Sequence, residues 1–282
     1  MIKLCAFSDE AASDLMGQIE ALKRNQVYYT ELRSVAGKNV FAFTEEEARE
    51  YQRILSENGI AVWSIGSPLG KVNIDIDMDE YIKTVEHVCK LANIFQTTRI
   101  RMFSFFHAYE KKEKVFENLR RMAEVAVKYG VELYHENEKD IYGDTVERVL
   151  ETLENVPALK AVYDPANFIQ VGEDADKSLN ALHAKTDYFH VKDVIKETGE
   201  LVPAGYGAGK IDELIARIDK DVVMTLEPHL AIFDAYKSID DTEMKHKFHF
   251  ESNDEAFDAA VSALKALLVK AGYTETTEGF VK

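Results

Sequence analysis

The chain has 282 residues, and its 50 Asp and Glu against 34 Lys and Arg leave a formal charge of −16. So acidic a chain repels nucleic acid and anionic membrane surfaces unless a basic patch overrides it, and no basic run is visible. No apolar run approaches the roughly 20 residues of a bilayer span, and the start, MIKLCAF, lacks the long apolar core of a secretory signal.

The first element, IKLCAF, is an apolar run ending at Ser8-Asp9-Glu10, after which Leu15, Ile19 and Leu22 share one face of a helix. VYYTELR follows, with Glu31 and Arg33 near its end. Thr44 and Glu47 make a capping box for a helix through Leu55, which Asn58-Gly59 stops. IAVWSIGSPLG is a third strand and its loop, and the next helix, Asp77 to Ile94, sets Ile82, Val85, Cys89 and Ala92 on one face. RIRMFSFF is a fourth strand, followed by a helix with Val115, Phe116, Leu119, Met122 and Ala126 inward and Gly130 as its stop. Cys5 in the first strand and Cys89 in a helix read as buried free thiols, which places the chain in a reducing cytoplasm.

The fifth unit, Val131 to Thr145, is an apolar strand that stops at His135-Glu136-Asn137, with Asp144 and Glu147 as the capping pair of its helix. LKAVYDPANF is the sixth strand, with a short helix near Asp176–Ala184. DYFHVKDV is the seventh, leading through the glycine-rich VPAGYGAGKI to a helix over Ile211–Ile218. DVVMTLEPHL is the eighth, and the last helix starts at a Ser252/Glu255 capping box and runs to Gly272. Eight strand-then-helix units with continuous apolar strands predict an α/β protein, a single (β/α)8 barrel spanning 1–282. The stretch at about 231–251 is too long for a simple connector and reads as a lid or rim over the barrel mouth, or as an oligomer contact.

Four strand ends carry the chemistry. Glu136, Asp164, His190 and Glu227 lie 28, 26 and 37 residues apart, the rhythm of successive βα units, and so converge at the face where barrel enzymes keep their sites. Singly, a strand-end carboxylate is more often a helix cap and a lone histidine a satisfied core residue; recurrence on four successive strands favours a shared site. Three carboxylates and one imidazole repel one another without a cation, which argues for one divalent metal ion. Oxygen-rich ligation suits Mn²⁺, Mg²⁺ or Co²⁺ first, and Zn²⁺ also accepts this set. Such a metal would acidify the C–H beside the carbonyl of a hydroxy-ketone, with Glu136 and Glu227 as acid and base on its two sides. Glu31, Arg33, Arg101, Asn167 and Lys192 are the substrate-binding candidates, and buried Arg–Glu pairing is the alternative reading of the first three. Trp63, Phe103 and Phe106 are candidates for an apolar wall, Lys192 and Asp193 for support of the metal, and Gly205–Lys210 for a phosphate cradle or a flexible turn.

Taken in order, FSDEA, YTELR, HENE, YDPANF, FHVKD and LEPH resemble the xylose isomerase-like TIM barrel superfamily over nearly the whole chain. The similarity is to its sugar phosphate isomerase/epimerase group, which includes ketose 3-epimerases, hydroxypyruvate isomerase and inosose dehydratase. The resemblance implies that Glu136, Asp164, His190 and Glu227 bind one divalent metal and that Glu136 and Glu227 double as acid and base. The expected reaction is isomerisation or epimerisation of a small ketose, or its phosphate, through a metal-held enediolate. The alternatives are an inosose-type dehydratase, a phosphodiesterase of the endonuclease IV type and a catalytically silent sugar-binding barrel. Ketose 3-epimerases often carry a His where this chain has Asn167. Endonuclease IV needs one there too, with further His ligands; their absence and the acidic charge count against DNA cleavage. The implied partners are a small carbohydrate and, as in related barrels, further copies of the chain.

Overall fold

The computed structural model describes residues 1–230, 248 and 250–282. Eight barrel strands run β1 Ile2–Ala6, β2 Tyr29–Leu32, β3 Ala61–Gly66, β4 Arg99–Met102, β5 Glu132–Glu136, β6 Leu159–Tyr163, β7 Tyr188–Val191 and β8 Val222–Leu226. Each pairs in parallel with the next, and β8 closes onto β1 from Ile2 opposite Val222 to Ala6 opposite Leu226. The expected (β/α)8 barrel is therefore the observed one. The expected lid at 231–251 falls mostly outside the described residues.

Around the barrel lie α1 Leu15–Arg24, α2 Glu45–Glu57, α3 Met78–Ile94, α4 Lys112–Lys128 and α5 Val146–Asn155. Their apolar stripes are buried as the 3.6-residue period requires; Val115, Phe116, Leu119, Met122 and Ala126 of α4 are all in the core between helices and strands. Both halves of the Thr44/Glu47 capping box form. The fifth helix differs from expectation: Thr145 caps it, accepting from Arg148 N, while Asp144 closes a preceding 3-10 turn and pairs with Arg148 and Tyr109. At the last helix, Asn253–Lys270, Ser252 caps Glu255 N, but the Glu255 carboxylate accepts from Glu251 N instead of completing the box.

After β6 the chain turns at once into α6 Pro165–Gln170, which was not anticipated, and then into α7 Ala175–Leu182, the short helix expected near Asp176–Ala184. Further unanticipated elements follow. Beyond β7, Asp193–Ile195 pairs back on Glu200–Val202 as a hairpin, before α8 Ile211–Ala216, which ends earlier than Ile218. A C-terminal hairpin, Thr274–Thr276 with Gly279–Val281, adds antiparallel to β1 at Ile2 opposite Phe280. The glycine-rich loop is neither a phosphate cradle nor a loose turn. The Asp193 carboxylate accepts from the backbone N–H of Val194, Gly205, Gly207 and Gly209, which consumes the amides that an anion would need.

Inside the barrel, the two-residue period of a strand stacks one kind of side chain on another. Cys5, Tyr134, Val162, Tyr188 and Val223 pack together as an inner layer, flanked by Tyr29 and Trp63. Two residues further along the same strands come Phe7, Glu31, Glu136, Asp164 and His190. The barrel is thus aromatic in its middle and charged at its C-terminal mouth.

The mouth is stitched by backbone bonds between the loops after β3 and β4, Phe103 N to Leu69 O and Phe105 N to Gly70 O at 2.8 and 2.9 Å. Gly70 makes this approach with φ +88°, and a Cβ there would stand 2.0 Å from the Phe103 carbonyl oxygen. Gly70→Ala is expected to cost more than about 2 kcal/mol, because neither the backbone conformation nor the contact tolerates a methyl. Thermal unfolding should show a melting temperature lower by several degrees; an unchanged value would mean that the two loops are not held together in this way.

Candidate functional site

Each of the four strand-end residues arrives by a different local route. Glu136 is the last residue of β5, His190 points inward from β7 two positions after Tyr188, and Glu227 follows β8 directly. Asp164 follows β6 and caps α6, its Oδ1 accepting from Asn167 N at 2.9 Å. The bland role of a strand-end aspartate is real here, but it uses one oxygen only. Asn137 fixes the spacing of β5 and β6 by exchanging two 2.9 Å hydrogen bonds with the Asp164 backbone.

The four are buried, and one ligand-type atom from each lies within 4.8 Å of all the others. His190 Nδ1 stands 3.0 Å from Glu136 Oε1 and 3.2 Å from Glu227 Oε2. Its Nε2 faces the other way, 3.0 Å from Glu31 Oε2, which also accepts from the Tyr188 hydroxyl. Arg101 Nε bridges Glu31 and Glu136 at 3.3 and 3.2 Å. Arg33 clamps Asp9 with two 2.9 Å bonds and reaches Glu227 at 3.2 Å. Lys192 Nζ lies 3.0 Å from Asp164 Oδ2 and 3.6 Å from Glu227 Oε2. Asn167 Nδ2 donates to Asn137 O at 2.9 Å and to Glu136 at 3.4 Å.

Charge sets the protonation states. Burial alone would strip His190 of its second proton, but Glu136 and Glu31 more than offset that and hold its pKa well above the usual range. Burial pushes the Asp164 carboxyl up to about 6, against the opposing pull of Lys192. Burial acts likewise on Glu227, but Lys192 and His229 outweigh it and keep that carboxyl well below its usual value.

A metal fits these residues. Asp164 Oδ2 and Glu227 Oε2 are buried and accept no well-formed hydrogen bond; Lys192 and His190 balance them by charge alone, which leaves their lone pairs open to a metal ion. Three carboxylates and an imidazole nitrogen form the donor set, and the other imidazole nitrogen rests on a carboxylate, the usual support of a metal-bound histidine. The buried groups Asp9, Glu10, Glu31, Glu136, Asp164 and Glu227 outnumber Arg33, Arg101 and Lys192 by three charges. With His229 protonated, a divalent ion in place of the His190 Nδ1 proton brings the cluster to neutrality. The adjoining cavity of about 50 Å³, bounded by Arg101, Phe103, Lys192 and His229, admits an ion with one or two waters.

The sequence from residue 19 to residue 267 matches the family model for the xylose isomerase-like TIM barrel. The chain belongs to that family. Solved members of the same fold lie far away in sequence. The probable 3-DHS dehydratase AsbF of Bacillus anthracis superposes with a TM-score of 0.72 at 19% identity, covering 94% of this chain and 99% of that one. D-allulose 3-epimerase from Methylomonas sp. gives 0.72 at 14% identity, with 94% and 98% covered. The IolI protein, solved with a zinc atom, gives 0.69 at 16% identity, with 95% and 97% covered. No curated protein matches this sequence.

Of the residues singled out from the sequence, Glu136, Asp164, His190, Glu227, Arg33, Arg101, Asn167 and Lys192 meet at the mouth. Glu31 has no exposed surface and sits behind His190, away from the cavity where a substrate would lie. Trp63 lines a different cavity at the far end of the barrel, so it forms no wall here. Phe103 lines the site cavity, whereas Phe106 is not among its lining residues. His229, Glu10 and Asp9 were missed. The Glu10 carboxylate accepts from His229 N at 2.8 Å, and the His229 ring lies 3.5 Å from Glu227. Its backbone is left-handed, φ +47°, as strained residues at functional sites often are. The available signal was position: His229 comes two residues after Glu227.

Metal binding must release protons from this cluster. Protons on the high-pKa His190 and on Asp164, raised to about 6, compete with the metal, so affinity is expected to fall as pH drops through the His190 range and again through 6 and below. Calorimetric titration with Mn²⁺ in buffers of different ionisation enthalpy should show one ion per chain and net proton release. Asp164→Asn should weaken binding at least tenfold; equal affinity in the variant, or no proton release, would remove the metal from this cluster.

Proposed function

We propose that the chain is a divalent-metal-dependent isomerase or epimerase acting on a small ketose or its phosphate, by moving a proton at the carbon beside the carbonyl. The observation that carries the reading is the meeting of Glu136, Asp164, His190 and Glu227, buried, with one ligand-type atom of each within 4.8 Å of the others. Glu136, Asp164, His190 and Glu227 would hold the metal, with Mn²⁺, Mg²⁺ or Co²⁺ suited to so oxygen-rich a set. When bound, the metal supplies Lewis acidity that polarises the substrate carbonyl and lowers the pKa of the adjacent C–H.

The protein's own groups do the rest. Glu136, oriented by Arg101 and Asn167, would take the proton from one side. Glu227, oriented by Arg33 and His229, would return it from the other. Arg33, Arg101 and Lys192 present N–H donors to substrate oxygens, and Glu31 holds the His190 ring in orientation. Structural relatives named as epimerases support the class. No helix among the described residues is long and apolar enough to cross a membrane, and the two buried free thiols suit a reducing cytoplasm.

A dehydratase on a cyclic polyol ketone is the second reading. It uses the same first step and then needs an acid for the departing hydroxyl. His229, an imidazole beside Glu227 whose pKa Glu10 and Glu227 raise against the effect of burial, favours it.

A panel of ketoses, their phosphates and inosose, run in D₂O with Mn²⁺, separates the two: deuterium at the carbon beside the carbonyl with a C-epimer or aldose product supports the first, loss of water the second. Glu136→Gln is expected to slow turnover at least about 100-fold, the scale of a lost general base. Turnover equal to that of the parent would end the assigned role. Glu227→Gln should permit exchange from one side while blocking product formation, and equal loss of both would place the two glutamates in one role.

A further inference from the structure

The barrel has a second interior opening, at the N-terminal ends of its strands and so at the end opposite the carboxylate cluster. It is a cavity of about 280 Å³, close to the lower bound for small-ligand pockets. Lys3 enters it from β1, Trp63 from β3 and Arg99 from β4, and its inner wall is Tyr134, Tyr188 and Val223. The guanidinium of Arg99 lies 3.9 Å from the centre of the Trp63 ring. Lys3 Nζ lies 5.1 Å from the Tyr29 ring centre, 6.0 Å from that of Trp63, and donates to the Tyr29 hydroxyl at 3.3 Å.

What distinguishes this cavity is unmet donor capacity. Arg33, Arg101 and Lys192 at the other mouth are each paired with carboxylates. Among the described residues no carboxylate forms an ion pair with Lys3 or Arg99. The indole Nε1–H of Trp63 is buried and has no acceptor, which is uncommon for a buried donor. Asp187 and Asp221 stand at the rim, exposed, and Asp221 is bonded to the N-terminal ammonium. In a chain of net charge −16, two cations with no ion pair among the described residues, only Lys3 of them within electrostatic reach of the rim Asp221, and an orphan N–H around one void call for negative charge from outside.

We propose that this cavity binds a small organic oxyanion, a phosphate or carboxylate carried on an apolar or aromatic body. Its oxygens accept from Arg99, Lys3 and Trp63 Nε1, and its body packs against Tyr134, Tyr188 and Val223. The body matters because the inner wall offers ring surface and one aliphatic side chain.

Trp63 is the chain's one tryptophan, so its emission reports this cavity directly. Phenyl phosphate, excited selectively at the indole, should change Trp63 emission saturably, and inorganic phosphate should bind at least tenfold more weakly. Lys3→Gln with Arg99→Gln should weaken phenyl phosphate at least tenfold, the scale of one lost charge-assisted hydrogen bond. If that double variant loses its fold by circular dichroism, Lys3→Gln alone, with Arg99 still on the indole, carries the same expectation. Glu136→Gln, at the other mouth, should leave the affinity unchanged. The proposal is overturned by absence of saturation at millimolar ligand, by undiminished affinity in the Lys3 variants, by inorganic phosphate binding as tightly as phenyl phosphate, or by loss of the response in Glu136→Gln.

Discussion

The imidazole of His190 is gripped on both sides by carboxylates, Glu31 below it and Glu136 and Glu227 above. It has no exposed surface, and Phe7 meets it edge-on at 5.3 Å between ring centres. Because both nitrogens are committed, the ring can neither rotate nor exchange its tautomer without breaking a buried charge-assisted bond. Removing one partner of such a buried group leaves an uncompensated charge at a cost of roughly 3–5 kcal/mol. The direction in which Nδ1 points is thereby fixed before any ligand arrives, and that direction is toward the three remaining members of the cluster.

The two arginines obey the same constraint. Six buried acidic groups at one mouth could not ionise together without cations threaded between them, and Arg33 and Arg101 each contact two or more of these groups with a planar fork. Phe7 supports both, with guanidinium carbons 4.3 and 5.3 Å from its ring centre. This reconciles the two readings that Arg33 and Arg101 allowed in sequence. They are structural ion-pair partners, and they hold Asp9, Glu31, Glu136 and Glu227 in place at the mouth.

The barrel and the four converging residues were legible because both rest on strand periodicity. An apolar run ending in a charged residue, repeated at the spacing of a βα unit, is hard to reconcile with any architecture but a parallel barrel. Glu31 was legible as a residue but not as a role, since nothing local tells whether a strand-end glutamate faces substrate or backs a histidine from another strand 159 residues away. The hairpin after β7 and its loop were hidden because one aspartate, Asp193, replaces the expected anion as the acceptor of the glycine amides. Thr145 and Asp144 are adjacent and both are good caps; the tie was broken by Arg148 and Tyr109, which take the Asp144 carboxylate for themselves.

The distribution of acids around the cluster bears on chemistry more than the cluster itself does. Either of the proposed reactions begins by removing a proton next to a carbonyl, and for that step Glu136 or Glu227 would suffice. The second step depends on whether the opposite side offers a carboxyl to return the proton to carbon or a cationic acid to protonate a departing oxygen. Here the Glu136 side is bounded by Arg101 and an amide, Asn167, neither of which gives up a proton. The Glu227 side carries His229, an imidazole, which can, and Lys192, whose proton Asp164 and Glu227 hold in place. The site is therefore asymmetric, with its imidazole acid on the β8 edge, and under the proposed function the oxygen that a substrate presents to that edge, hydroxyl or carbonyl, would decide between the two outcomes.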